Sequence, residues 1–149
     1  MASPLPARPV RDVDDSNARL TACGVSIGLF VIACFMPALI TRTPHGGGDS
    51  AVNGAFLLLI GSTAVVSGNF GWFANPLLAV SLVMLAMGKD RKALWWGGTA
   101  CVLGLSSIFG MHSYNSDVRG TAIGFYVWMA SLLVVPVAAS RLSQRDTRS

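Results

Sequence analysis

Few side chains in this sequence could do chemistry, and their spacing is informative. The two histidines, His45 and His112, each have an aspartate a few residues away, Asp49 and Asp117. Imidazole and carboxylate together are ligands for a divalent metal. Neither the H-x-x-x-H nor the H-E-x-x-H spacing occurs, however, so no metal site is assigned. Hydroxyl nucleophiles are more numerous: Ser26, Ser62, Ser67, Ser81, Ser106, Ser107 and Ser131 all lie in uncharged stretches. A serine becomes a nucleophile through an adjacent base, and the apolar parts of those stretches, residues 20–40, 52–88, 93–110 and 120–140, contain no histidine, lysine or carboxylate. Proton transfer or ion coupling would need an ionisable group there as well. The hydroxyls are expected instead to bond to backbone carbonyls or across helices. Cys23, Cys34 and Cys101, odd in number and each within an apolar run, read as small packing residues. The expectation is a non-enzyme with no catalytic residue and no cofactor.

The polar groups that remain cluster in GNFGWFANP, Gly68 to Pro76. Asn75 precedes a proline and is steered away from helical geometry, and Pro76 has no N–H to donate, so a helix is expected to start or break here. Asn69, Trp72, Asn75 and Pro76 are therefore the candidate functional or structural break. Later in the chain, Phe125, Tyr126 and Trp128 fall several residues inside an apolar run. Their placement predicts packing against another helix, with the Tyr126 hydroxyl and the Trp128 N–H in need of partners. Asn69 and Asn75 can supply them, which would set the last helix against the central break.

The elements that must position these residues are apolar helices. Of 149 residues 52% are hydrophobic and only 12% charged, with a mean hydropathy of +0.57. No Asp, Glu, Lys or Arg occurs in residues 20–41, 50–88, 93–116 or 120–140. Uncharged runs of about 18 or more residues match a hydrocarbon core roughly 30 Å thick. The pattern predicts an all-α fold, a polytopic helical membrane bundle with helices at about 20–40, 52–67, 72–88, 93–110 and 120–140. Residues 1–19, rich in proline and aspartate, read as a disordered polar tail, and residues 141–149 as a basic C-terminal tail. TRTPHGGGDS, residues 41–50, reads as a loop, as does MHSYNSDVR, residues 111–119. Leu20 to Ile40 is too long for the core of a cleaved signal peptide.

The central uncharged run, Val52 to Met87, would make a single helix of about 54 Å, too long for one perpendicular crossing. Charge discriminates between the two ways of folding it, because cationic loops are retained on the cytoplasmic side. One crossing, with a broken or re-entrant element, gives four crossings in all. It puts nine of the eleven Lys and Arg residues on the cytoplasmic side with both termini, and leaves Arg42 and Arg119 outside. A hairpin gives five crossings, an outside N-terminus and a split of seven to four. Four crossings are preferred. The formal charge of +4 is distributed as a topology signal and not as a continuous patch, so no nucleic-acid partner is expected. Trp95 and Trp96 beside Gly88–Lys92 mark a membrane interface. The two G-x-x-x-G matches, Gly24/Gly28 and Gly120/Gly124, are as many as chance supplies in a chain with this much glycine, while Gly97, Gly98, Cys101, Gly104 and Ser107 point to close packing within the bundle.

Two motifs carry a resemblance. Gly54 is followed by Trp72, Ala74, Asn75, Pro76 and Leu77, and later come Tyr126, Trp128, Ala130 and Ser131. Over roughly residues 54–133 the chain resembles small, uncharacterised multi-pass bacterial inner-membrane proteins with a Trp-x-Ala-Asn-Pro motif. The resemblance implies a bacterial inner membrane and supplies no activity or site residues. The expected function is that of a non-enzymatic accessory, scaffold or envelope-associated protein. Its partners would be the lipid bilayer and other membrane proteins or further copies of itself. The alternative is a small transporter or channel for a neutral or lipid-like solute, served by an unwound segment at the break.

Overall fold

The computed structural model describes residues 10–42, 48–63, 70–114 and 118–146. Helix α1 spans Val10–Phe35, strand β1 Pro37–Arg42, strand β2 Asp49–Asn53 and helix α2 Gly54–Ile60. A 3-10 turn, Phe70–Phe73, leads into helix α3, Ala74–Ala86. Helix α4 is Asp90–Tyr114, strand β3 Val118–Thr121 and helix α5 Ile123–Asp146. The fold is mostly helical, as expected, but it is not all-α.

Helix α1 departs from the expected 20–40 at both ends. It begins ten residues earlier, so the second half of the expected disordered tail is helical. Asp14 and Asp15 fall early in the helix, where carboxylates favour the positive end of the peptide dipoles, and Asp15 is buried beside Arg145 of α5, 3.3 Å away. At the other end Pro37 pushes Met36 out of helical geometry, and a Met36 N–H bond to the Ala33 carbonyl closes the last turn.

Residues 37–42 then form the central strand of an antiparallel sheet in the order β2-β1-β3. Leu39 pairs with Val52 on one side and with Thr121 on the other. Both segments expected to be loops therefore contribute a strand: 49–53 from the first and 118–121 across the end of the second, where α4 also continues to Tyr114. Ala38 and Leu39 are buried, and the Ala122 N–H bonds to the Ala38 carbonyl, so the sheet is joined to the start of α5. The expected basic tail is helical to Asp146.

Helix α1 packs along α5, α5 along α4, and α4 along α3, with α3 closing more lightly on α1. Leu78, Leu85, Ala93, Ala100, Leu132, Val135 and Ala139 form the buried core. Glycines set the distance between α4 and α5. A Cβ on Gly97 would meet the Pro136 ring at 3.0 Å, and one on Gly104 would meet Leu132 at 2.8 Å. Pro136, within α5, leaves the Leu132 carbonyl without its intrahelical donor.

Two helical segments, Val13–Phe35 and Ile123–Arg145, are long and apolar enough to cross a membrane. At about 1.5 Å per residue each is roughly 35 Å long. Much of the outer surface is apolar, including Leu20, Val31 and Phe35 on α1, Val83 on α3, Val102 on α4 and Leu133 on α5.

Candidate functional site

The Asn-Pro pair initiates a helix. Asn75 and Pro76 are the second and third residues of α3, where a missing N–H costs little because the first helical donors have no intrahelical acceptor. Upstream of it, residues 61–63 and 70–73 form 3-10 turns. Asn69 and Ser67 lie outside the described residues.

Trp72 ties the second of these turns to α2. Its indole Nε1 donates to the Leu58 carbonyl at 2.9 Å, one of the four carbonyls that the C-terminus of α2 leaves open. Two neighbouring carbonyls are also taken: Leu57 by the Gly61 N–H, and Ile60 by the Thr63 hydroxyl at 2.7 Å. The indole can approach because residue 61 is glycine; a Cβ there would stand 2.7 Å from Trp72 Cδ1. Phe73 meets Trp72 edge-on at 5.8 Å and stacks on Phe70 at 6.5 Å. Gly71 and Ala74 are buried beneath them.

Asn75 is reached from α5. Trp128 Nε1 donates to Asn75 Oδ1 at 2.9 Å, joining the last helix to the first turn of α3. The connection continues through α5: the Ser131 hydroxyl donates to the Trp128 carbonyl at 2.6 Å, and the Ser26 hydroxyl of α1 donates to the Ser131 carbonyl at 2.8 Å. Tyr126 is not part of it. Expected to pack inward, it is 62% exposed, and its hydroxyl accepts from Thr121 at 3.2 Å on the sheet side. The reason is helical phase. Phe125, Trp128, Met129 and Leu132 share the inward face, and Tyr126 is turned about 100° from Phe125.

Beside this cluster lies an open groove of about 640 Å³ with a wholly apolar lining, formed by the 3-10 turn, α3 and Leu103 of α4. It offers no polar anchor for a hydrophilic substrate. Among the described residues no group of three or more His, Cys, Asp or Glu could hold a metal; His45 and Asp117 lie outside them.

Charged groups occupy the two ends of the bundle. At the end opposite the sheet, Arg19 of α1 grips Asp90 of α4 through two bonds, Nη2 to Oδ2 at 2.7 Å and Nε to Oδ1 at 3.1 Å. Asp90 is only 5% exposed. The Asp15–Arg145 pair lies at the same end. At the sheet end an exposed pair joins Asp49 to Arg119 at 3.4 Å. Nothing local marks the pairing of Arg19 with Asp90, whose partners are 71 residues apart. Comparison with protein-family models, curated proteins and solved structures finds no match to this chain.

Proposed function

We propose that this chain is a four-crossing integral membrane protein that acts through its surfaces and not through chemistry, as an accessory or scaffold subunit. The observation that carries the topology is the course of the central segment against α1. A Cβ on Gly54, at its start, would run into the backbone of Ala33 and Cys34, whereas one on Gly88, at its end, would stand 3.8 Å from the Arg19 guanidinium. Residues 19 and 34 are about 22 Å apart along a helix. The segment therefore starts and finishes at opposite ends of α1, as a single crossing requires and a hairpin does not. Helix α3 alone, 13 residues, is about 20 Å long, and α2 adds about 10 Å; together they approach the roughly 30 Å core. Helix α4, uncharged from Ala93 to Tyr114, supplies the remaining crossing.

The same course gathers Arg19, Lys89, Arg91, Lys92, Arg141 and Arg145 at one end, which the positive-inside rule assigns to the cytoplasm along with both termini. A bacterial inner membrane is the setting that the Trp-x-Ala-Asn-Pro motif is similar to. The transporter reading draws less support, since the Asn75 oxygen is engaged by Trp128 and the adjacent groove is apolar.

Topology is tested by single cysteines in a variant lacking Cys23, Cys34 and Cys101. Ser50→Cys should react with an impermeant maleimide on intact cells and Lys89→Cys only after permeabilisation; the same response at both positions, no reaction on intact cells above all, would refute four crossings. The accessory role is tested by purification from native membranes, which should yield a stoichiometric membrane partner. Solute flux through liposomes containing the pure chain alone would overturn it.

A further inference from the structure

The outer face formed by α3 and α4 has two features that the packing of the bundle does not use. At the basic end Lys89, Arg91 and Lys92 are exposed, and none of them makes an ion pair among the described residues. The only acid in that turn, Asp90, is buried and committed to Arg19. The turn itself is fixed. Gly88 takes a left-handed φ of 72°, its N–H bonds to the Leu85 carbonyl, the Lys89 N–H bonds to the Met84 carbonyl, and the Ala93 N–H bonds back to Lys89. Three uncompensated cations thus stand on a backbone that is already ordered. At the far end of the same face lies the apolar groove of Phe73, Pro76, Leu77, Val80 and Leu103.

Helical periodicity joins the two. On α4, Lys92, Trp96, Thr99 and Leu103 follow at i, i+4, i+7 and i+11, which is one stripe, and the first three are exposed. The Thr99 hydroxyl is turned back to the Trp95 carbonyl at 2.9 Å, so the stripe is apolar above Lys92. On α3, Pro76, Val80, Val83 and Met87 form the matching exposed stripe. Lys92 to Leu103 is about 16 Å of helix, close to half of a roughly 30 Å hydrocarbon core, the depth of one leaflet.

We infer that this face holds a phospholipid of net negative headgroup. Its phosphate sits among Lys89, Arg91 and Lys92, an acyl chain follows the Trp96–Thr99 stripe, and the chain end fills the groove. Charge complementarity selects the headgroup and the length of the stripe selects the chain. The inference rests on the membrane reading above.

The test uses the purified full-length chain in neutral detergent, exposed to equimolar phosphatidylglycerol and phosphatidylcholine with identical acyl chains, and read by native mass spectrometry. Each cation beside an anionic headgroup contributes about fivefold, so phosphatidylglycerol should be retained at least about tenfold better at low salt. The ratio should fall towards unity in the Lys89→Gln, Arg91→Gln, Lys92→Gln triple variant. Raising salt to about 0.5 M should lower the ratio for the unaltered protein, a readout that no folding defect can mimic. Val80→Trp, which fills the groove without altering charge, should reduce phosphatidylglycerol retention severalfold. Equal retention of the two lipids would overturn the inference. So would competition by glycerol phosphate as effective as by the lipid, which would mark a site for free phosphate, or a lipid-free dimer closed over this face. Flotation with liposomes after alkaline carbonate separates the two levels: a chain that floats but shows no lipid preference refutes only the lipid site, and a chain that does not float refutes the membrane reading itself.

Discussion

Glycine to alanine at two positions should change stability in opposite directions. A Cβ on Gly54 would collide with the Ala33 carbonyl oxygen and lie 3.1 Å from Cys34 Cα. Both are backbone atoms at the end of α1, so no rotamer change can relieve the contact. Relief requires α2 to move off α1, which stretches the Gly54 N–H bond to the Met36 carbonyl, now 3.0 Å. Overpacking costs about 1–3 kcal/mol and the weakened bond about 1 kcal/mol, for a total of roughly 2–4 kcal/mol. At Gly24 a Cβ meets nothing within 4 Å, and alanine in a helix interior is favoured over glycine by about 1 kcal/mol. With about 2–4 °C per kcal/mol for a chain of this size, Gly54→Ala should lower the melting temperature by roughly 5–15 °C and Gly24→Ala should raise it by about 3 °C. The assay is the fraction remaining monodisperse by size-exclusion chromatography after heating in detergent. Shifts of the same sign in both variants would refute the reasoning. A fall at Gly24 would specifically show that α1 packs closely against something outside the chain.

Three further substitutions test the site and the ends of the bundle. Asn75→Ala leaves the Trp128 indole unpaired at a half-buried position and should cost about 1–2 kcal/mol; in a double-mutant cycle with Trp128→Phe, measured by the same melts, the pair should couple by about 1 kcal/mol, and strict additivity would remove the bond from the account. Asp90→Asn removes the carboxylate charge from the part-buried pair with Arg19 and should destabilise by about 3 kcal/mol, whereas Asp49→Asn, at the exposed pair, should cost less than about 1 kcal/mol; equal effects would contradict the difference in burial. Tyr126→Phe, losing only an exposed hydroxyl contact, should shift the melt by no more than about 1–2 °C, and a larger loss would place Tyr126 in a contact outside this chain.

What could be read from the sequence was local. Charged turns mark the ends of the helices, and the helical start at Ala74 follows from the Asn-Pro pair. The link between α5 and α3 follows from an indole that needs an acceptor near amides. What could not be read depends on distant partners. PALITR is as apolar as the helix before it and becomes a strand because residues 49–53 and 118–121 pair with it, the latter from the far end of α4. Only Pro37 marks the switch locally. The early start of α1 likewise depends on Arg145, 130 residues from Asp15. Tyr126 escapes a local reading for a different reason: Phe125, Tyr126 and Trp128 form a cluster in sequence, but at 3.6 residues per turn Tyr126 does not share the face of the other two.

The placement of the polar side chains is consistent with the proposal that this chain acts through its surfaces. The hydroxyls of Ser81, Ser106, Ser107, Ser131 and Ser140 each bond to a carbonyl three residues back in their own helix. The Ser26 hydroxyl and the Trp128 N–H bond across helices. Among the described residues no buried side-chain nitrogen or oxygen lacks a partner, so that part of the interior holds no spare donor or acceptor aimed at a ligand. A buried polar group that is already satisfied fixes the register between helices, and re-aiming it toward a solute would first cost the bond it makes. The groups left over are cations at one end, an apolar groove, and helix faces that pack against none of the other described residues. On the reading proposed above, such a bundle would be recognised by lipid and by other helices.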